Sequence, residues 1–366
     1  MMAVLEYPVR MSEGPDPEPN HAASTPAQFR FIDPLVDPAW DTLVLSHPEA
    51  TIFHSSAWAR VLTGTYGHKP LYLQVVRRGA TQALVPLMEV HSFFTGRRGV
   101  CLPFSDFCGP LLFGHAETDV IPDKLSSLAR ERNWDHFELR DAFSSVPAIQ
   151  FYGHKLDLGH GAEALFAGFS SPARRAIRKA EKSGLTAEKS RSWESVLDFY
   201  RMHVETRRRH GLPPQPVAFF RNIFREVIEP GLGFVVLATL DSRYVAAAIF
   251  FQFGTTAIYK FGASSLAFQQ FRGNNLVMWE GIRLLAQSDA KVLYFGRTSL
   301  SNQSLRRFKL GWGAEEEIIN YCKWNTSTAE WTVRRDHSSG RHGAIFSRMP
   351  LALNRLAGTL LYPHLD

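Results

Sequence analysis

Cysteine is scarce in this chain and nowhere paired. Cys101, Cys108 and Cys322 are odd in number and none stands in a C-x-x-C pair, so neither a disulfide framework nor a zinc ribbon is signalled. Long apolar runs are missing as well: the longest, such as Val245 to Phe251, fall far short of the roughly 18 residues a membrane-spanning helix needs. No G-x-S-x-G elbow, H-E-x-x-H or Walker loop occurs, and the 14 histidines are scattered. Nucleophilic-serine and zinc mechanisms therefore drop out, and no metal ligands are expected. The opening stretch "MMAVLEYPVRMSEGPDPEPN" lacks a cationic start followed by an apolar core and a small-residue cleavage site, which makes a cytoplasmic protein the expectation. An acidic surplus is absent too. The formal charge of +6 favours an anionic partner, yet it is too modest to indicate DNA binding.

What is present describes a globular chain with a sizeable core. The 366 residues suggest two domains, and 45% apolar with 21% charged residues is enough to bury their interiors. Residues 11–28 are rich in Pro, Ser and Glu and read as part of a disordered lead-in over 1–28, with folded structure from Phe29. Beyond it come helix signals in "SSAWARVLTGTYG", strand-like runs "LYLQVV", "QALVPLMEV" and "GVCLPF", a helix "DKLSSLARER" and a strand "HFELR". After about Ile149 a similar order returns. A long helix "WESVLDFYRMHVETRRRHG" stops at Gly211, a hairpin "GFVVLATL"/"YVAAAIFFQF" turns at Asp241-Ser242, and then come strand "AIYKFG", helix "NLVMWEGIRLLAQS", strand "VLYFG", a short helix near Leu305 and strand "IINYCKW". This repeat of pattern implies a duplicated α/β (α+β) unit, the alternative being two unrelated α+β domains. The expected division is 29–150, 151–325 and a tail, 326–366. Leucines 351, 353, 356, 360 and 361 give the tail a partly amphipathic helix, packed on the domains or, alternatively, making peripheral membrane contact.

Three constellations carry candidate chemistry. In "QQFRGNN", Gln270, Gly273, Asn274 and Asn275 follow a strand and open a helix, where free backbone N–H groups attract phosphate; the plain alternative is a turn with Asn as N-cap. In "SPARRAIRKAEKSG", Ser171 can cap and Pro172 start a helix that spreads Arg174, Arg175, Arg178, Lys179 and Lys182 over one arc, and "ETRRRHG" adds Arg207. Such cations either hold phosphates or form a solvated face. In "LPFSDFCGP", Asp106 sits between two phenylalanines, either desolvated with a raised pKa as a general base or bracing the turn before Gly109-Pro110. His203 and His210 read as structural or anion-contacting rather than as metal ligands.

In order along the chain, "FHSSAWARVL", "YGHKPLYL", "LPFSDFCGPL", "RRAIRKAEKSGL", "ETRRRHGLPPQP", "NNLVMWEGIRLL", "FGRTS" and "LRRFKLGWGAEE" resemble the FemAB-like and "BioF2-like acetyltransferase" proteins of the GNAT acyltransferase superfamily, from about Phe53 to Trp324. The resemblance implies two tandem GNAT-like domains, mixed sheets flanked by helices, and a cleft between them. It further implies that Phe308-Lys309 matches a Phe-Lys motif whose lysine stabilises charge on an acyl carbonyl, that Tyr259 matches a strand tyrosine, and that Asp106 matches an acidic loop residue. Gln270-x-x-Gly273-x-Asn275 approximates the loop that holds the pyrophosphate of coenzyme A, with Asn275 in place of the final Gly or Ala. The expected function is acyl transfer to an amine of a cell-envelope or polysaccharide-related acceptor, such as a phosphate-bearing or glycan precursor. Acyl-CoA or aminoacyl-tRNA would be the donor, no cofactor would be permanently bound, and Arg174, Arg178 and Arg207 would hold phosphates. No long helical hairpin for tRNA is inserted. A small-molecule N-acetyltransferase using acetyl-CoA and a non-catalytic polyanion-binding scaffold remain the alternatives.

Overall fold

The computed structural model describes residues 26–114, 118, 120–140, 147–333 and 343–365. The expected lead-in thus lies, up to residue 25, outside the described residues. The first half comprises β1 (Gln28–Ile32), α1 (Trp40–Leu45), α2 (Ser56–Tyr66), β2 (Lys69–Pro70), β3 (Tyr72–Arg77), β4 (Ala80–Val85), β5 (Met88–Ser92), β6 (Gly96–Val100), β7 (Leu111–Leu112), α3 (Val120–Glu131) and β8 (His136–Leu139). The second runs through β9 (Ile149–Asp157), α4 (Gly161–Gly168), α5 (Ser171–Lys182), β10 (Thr186–Ser190), α6 (Trp193–Arg209), α7 (Val217–Ile223), β11 (Gly233–Leu240), β12 (Arg243–Phe253), β13 (Thr256–Ser264), α8 (Gly273–Ala286), β14 (Val292–Tyr294), β15 (Thr298–Ser299), α9 (Gln303–Leu310) and β16 (Glu315–Asn325). The tail holds β17 (Glu330–Thr332), α10 (Gly343–Arg348) and α11 (Leu351–Leu361).

Among the described residues the strands form a 4-stranded sheet, β1-β3-β4-β7, and a 13-stranded sheet whose path is β10-β11-β12-β13-β14-β9-β16-β8-β6-β5-β2, with β15 on β9 and β17 on β16. The run "QALVPLMEV" is two strands rather than the expected one. Pro86, lacking an N–H, ends β4 in the small sheet, and the chain crosses to place β5 in the large one. β16 is the seam between the halves: Glu315–Tyr321 pair with β9, and Cys322–Asn325 pair with β8.

The apolar runs without alternation belong to strands covered on both faces. Along β12, Ala247, Ile249 and Phe251 enter one core with Trp58 and Phe219, while Ala246, Ala248 and Phe250 enter another with Val277 and Ile282. The β11–β12 hairpin turns at Asp241 and Ser242, both left-handed at φ 47° and 60°, as a two-residue turn demands. Helix α8 approaches β12 so closely that a Cβ on Gly281 would lie 2.1 Å from the Phe250 ring. Gly281→Ala should therefore destabilise by about 1–3 kcal/mol, overriding the roughly 1 kcal/mol that alanine contributes to helix propensity; chemical denaturation measures the sign.

The tail packs on α6 and then reaches the first half. Asn354 is fully buried and donates to the Phe346 carbonyl. Beyond α11 the turn Tyr362–His364 meets the β5–β6 hairpin, where the His364 carbonyl accepts from Arg98 Nη2 at 3.0 Å and Thr95 Oγ1 at 3.1 Å. No described helix is long and apolar enough to cross a membrane.

Candidate active site

The large sheet splays between β13 and β14. β13 and β14 pair in parallel only over Thr256–Ile258 and Val292–Tyr294; β13 then continues to Ser264, whereas the chain after β14 parts from it and stays beside β9, pairing again at Thr298. Beside this splay β13 carries a bulge. Tyr259 stands opposite Phe250 and Phe261 opposite Ile249, leaving Lys260 as the extra residue. Lys260 Nζ donates to the Phe104 carbonyl at 2.6 Å and to Asp106 Oδ2 at 2.9 Å, an ion pair joining residues from opposite ends of the fold.

The loop carrying Asp106 is held in an uncommon shape. Leu102 and Phe104 are left-handed at φ 46° and 58°, conformations that side-chain-bearing residues keep only when neighbours enforce them. Arg140 supplies that enforcement by donating to the Ser105 carbonyl and, at 2.6 Å, to Ser105 Oγ, while Tyr321 Oη donates to the Asp106 carbonyl at 2.7 Å. The Arg140 and Arg297 guanidinium groups both lie over the Tyr321 ring, at 4.7 and 5.0 Å. Lys309, 3% exposed, reaches from α9 to donate to the carbonyls of Gly296 at 2.7 Å and Arg297 at 3.1 Å. Gly296, at φ 71°, is required as glycine twice over, since a Cβ there would also sit 3.0 Å from Asp106 Oδ2.

Burial raises the Asp106 pKa, but Lys260, Arg297 and Lys309 together outweigh it and leave the carboxyl below its ordinary value. The expected raised pKa is therefore corrected: the surrounding cations hold Asp106 below its ordinary value despite its burial. Burial lowers Lys309 to about 8, with Asp106 opposing and Lys260 reinforcing the shift. A cavity of about 370 Å³ opens on this cluster, lined by Asp106, Lys260, Arg297, Arg207, His203 and, from the tail, Tyr362 and Leu365.

A second cavity, about 490 Å³, lies between the start of α5, the start of α8 and the end of α9. Arg175, Lys179, Arg272 and Arg307 line it with no acid, over Phe308 and Trp312. Helix α8 begins at Gly273 behind Arg272, which is left-handed at φ 63°, and no side chain caps it. The Asn N-cap considered from the sequence is not formed. Backbone N–H groups of the first turn lie among cations, an arrangement suited to phosphate.

Residues 169–316 match the family described as an acetyltransferase (GNAT) domain. The chain carries a GNAT acyltransferase domain. Its fold is shared with FemX (15% identity, TM-score 0.63, 80% of this chain and 96% of that one). L-PGS from Bacillus licheniformis is similar at 12% identity and TM-score 0.52, over 89% and 97% of the two chains. A tandem GNAT protein from the clavulanic acid biosynthesis pathway is similar at 10% identity and TM-score 0.51, over 82% and 99%. These likenesses are of fold: an α/β architecture of tandem units. No curated protein matches the sequence. GNAT acyltransferases use acyl-CoA as a co-substrate rather than as a bound cofactor.

The acyltransferase brings some of the sequence-derived residues together and separates others. Asp106 and Lys309 join one cluster. Tyr259 does not: its ring packs against Phe250 and Phe295 in the core that also receives Phe308, and burial pushes its phenol up to about 12. Alternation accounts for this: Tyr259 follows Ala257 into that core, whereas Lys260 lies on the face of Ile258, toward Asp106, and the bulge brings Phe261 to that same face. The phosphate trio is likewise dispersed. Arg174 donates back to the Ala167 carbonyl, Arg178 lies over the Phe166 ring, and Arg207 donates to Pro213 O and Tyr362 Oη beside the other cavity. The stripe one residue on, Arg175 and Lys179, faces the basic cavity instead. The cap of α5 is Ser170, not Ser171. Gln270 lies in the exposed turn Leu266–Phe271, and Gln269 rather than Gln270 lines a small cavity with Gly273, Asn274 and Asn275. Asn274 donates to Ser264 Oγ at 3.1 Å. His203 is buried neutral against Gln215, its pKa lowered to about 3 by desolvation and Arg207. No group of side chains suited to a metal ion occurs among the described residues. Arg306 and Glu316 form a two-contact ion pair at 2.7 and 2.8 Å.

Sequence reasoning missed Lys260, Arg140, Arg297 and Tyr321. Only Lys260 left a signal: a lone cation in "AIYKFGAS", a strand otherwise able to be buried.

Proposed function

We propose that the chain transfers an acyl group from acyl-CoA to an amine borne by an anionic cell-envelope or glycan precursor. One observation carries this reading: consecutive residues of α9 link the two cavities, one by lining and the next through the backbone it holds. Phe308 lines the acid-free basic cavity, and Lys309 holds the Gly296-Arg297 backbone, whose Arg297 side chain lines the other. The donor's phosphates belong in the basic cavity with Arg175, Lys179, Arg272, Arg307 and the start of α8. The acceptor belongs in the cavity with Asp106, where Lys260, Arg297 and Arg207 outnumber one carboxylate and favour an anionic carrier. In this reading residues 151–325 supply the donor side, 29–150 the Asp106 loop, and 326–366 a wall of the acceptor cavity.

In the reaction the unprotonated amine attacks the thioester carbonyl and a C–N bond forms. Negative charge collects on the carbonyl oxygen, where the Lys309 ammonium stabilises it. Collapse breaks the C–S bond, and the departing thiolate takes the proton released by the new ammonium. In this reading Asp106 acts as an anchor: it holds Lys260 and opposes the fall in pKa that burial imposes on Lys309.

Acetyl-CoA should raise the melting temperature in proportion to the logarithm of its concentration above Kd, by mass action. The paired replacement Arg175→Glu/Lys179→Glu should raise the KM for donor about tenfold while altering kcat far less. A donor KM that is unchanged in this variant removes the basic cavity from the reading; stabilisation by charged tRNA but not by acyl-CoA replaces the donor.

A further inference from the structure

A cluster of exposed large apolar side chains gathers around the end of the tail. Phe93 and Phe94, 95% and 73% exposed, cap the β5–β6 hairpin, and the Phe94 ring meets His364 edge-on at 4.8 Å. Just before His364, α11 presents Leu353, Leu356 and Leu360 at 54%, 54% and 61% exposure. At 3.6 residues per turn these three leucines fall within roughly 60° of arc, facing away from the buried Asn354 and Gly358 that pack toward α6. A surface helix docked on one side ordinarily carries polar residues on the other. Leu361 and Leu365 continue the patch toward the acceptor cavity, which Leu365 lines.

Charge selects the occupant. Residues 343–365 contain Arg348 and Arg355 and no Asp or Glu; residues 90–99 contain Arg97 and Arg98 and again no acid. Arg98 is buried and Asp135 accepts from the Arg97 N–H at 3.0 Å, but the exposed Arg97, Arg348 and Arg355 leave the border of the apolar face with a cationic excess, which complements a layer of anionic headgroups over hydrocarbon. A second copy fits worse, because a two-fold pairing of this patch with itself sets like cations against one another.

We propose that the hairpin tip and the outer face of α11 dock on an anionic lipid surface, with Phe93, Phe94, Leu356 and Leu360 entering the interface and Arg97 and Arg348 meeting headgroups. The docked face adjoins the cavity assigned to the acceptor. That consequence rests on the proposed function; the docking itself does not.

Flotation of the full chain with vesicles tests it directly. Vesicles of phosphatidylcholine mixed with phosphatidylglycerol should carry the protein, and vesicles of phosphatidylcholine alone should not. Phe93→Ser/Phe94→Ser and, separately, Leu356→Ser/Leu360→Ser should each weaken binding about tenfold or more, with thermal melts matching the parent. Arg97→Glu/Arg348→Glu should abolish the preference for anionic vesicles. Failure of the parent to float, equal flotation of the serine variants, or a dimer in solution that these variants dissociate would each overturn the proposal. Retained donor stabilisation in a non-floating parent would sink the docking and leave the acyl transfer standing.

Discussion

Lys309→Met is expected to lower kcat by about 10²-fold to 10³-fold, the scale set by removing one preorganised oxyanion partner, while donor KM changes little. The direction follows from placement: Lys309 is 3% exposed and its Nζ is fixed by two backbone carbonyls, so it pays no reorganisation when charge develops nearby. Lys309→Arg should not restore the rate, because a planar guanidinium cannot occupy a slot shaped for an ammonium between Gly296 and Arg297. The pH profile supplies an independent readout. With its pKa lowered to about 8, Lys309 is a cation below that value and neutral above it, so kcat should fall as pH rises through about 8. Single-turnover rates across this range, beside donor affinity measured separately, check both outcomes. An equal loss in donor affinity with an unchanged chemical step would contradict the charge-stabilising role.

The elements bordering this site were legible in the sequence wherever local chemistry decides the conformation. Asp241-Ser242 between two apolar runs marks the β11–β12 hairpin, and Gly211 after a polar-faced helix marks the end of α6. What could not be read are features set by contacts remote in sequence. Asp106 and Lys260 are 154 residues apart and meet only because β13 runs beside the first half's loop. One bulge after Tyr259 inverts the faces of the residues from Phe261 on, so counting back from them assigns Tyr259 and Lys260 to the wrong faces. On α5 the stripes Arg174/Arg178 and Arg175/Lys179 flank the same buried Ala173, Ile177 and Ala180, so the helix pattern is equally satisfied by either; the neighbouring α8 and α9 choose. The sign of the Asp106 shift is hidden from the sequence for the same reason. Two adjacent phenylalanines signal desolvation, but the cations that outweigh it come from β13, the loop after β14 and α9.

Asp106→Asn should separate an anchor from a base. Removing one partner of a buried pair costs about 3–5 kcal/mol, and the 21% exposure of Asp106 beside 7% for Lys260 places the expected loss at the lower end of that range. Because the folded-state pKa of Asp106 is below its ordinary 3.8, the stability it contributes is fully present above that value and is lost as pH falls through the folded pKa. Denaturant midpoints of parent and variant should therefore differ by a constant amount from neutrality down to about pH 4 and converge below it. The kinetic consequence is distinct. Asp106 raises the pKa of Lys309, so its neutralisation should lower that pKa further and move the alkaline fall in kcat to lower pH, while activity persists on the acid side of the new midpoint. A general base would behave otherwise: its loss would remove activity at every pH without displacing the alkaline limb. Kinetic profiles of the variant on a soluble amine acceptor distinguish the two, and an unshifted limb would return Asp106 to the role of proton acceptor.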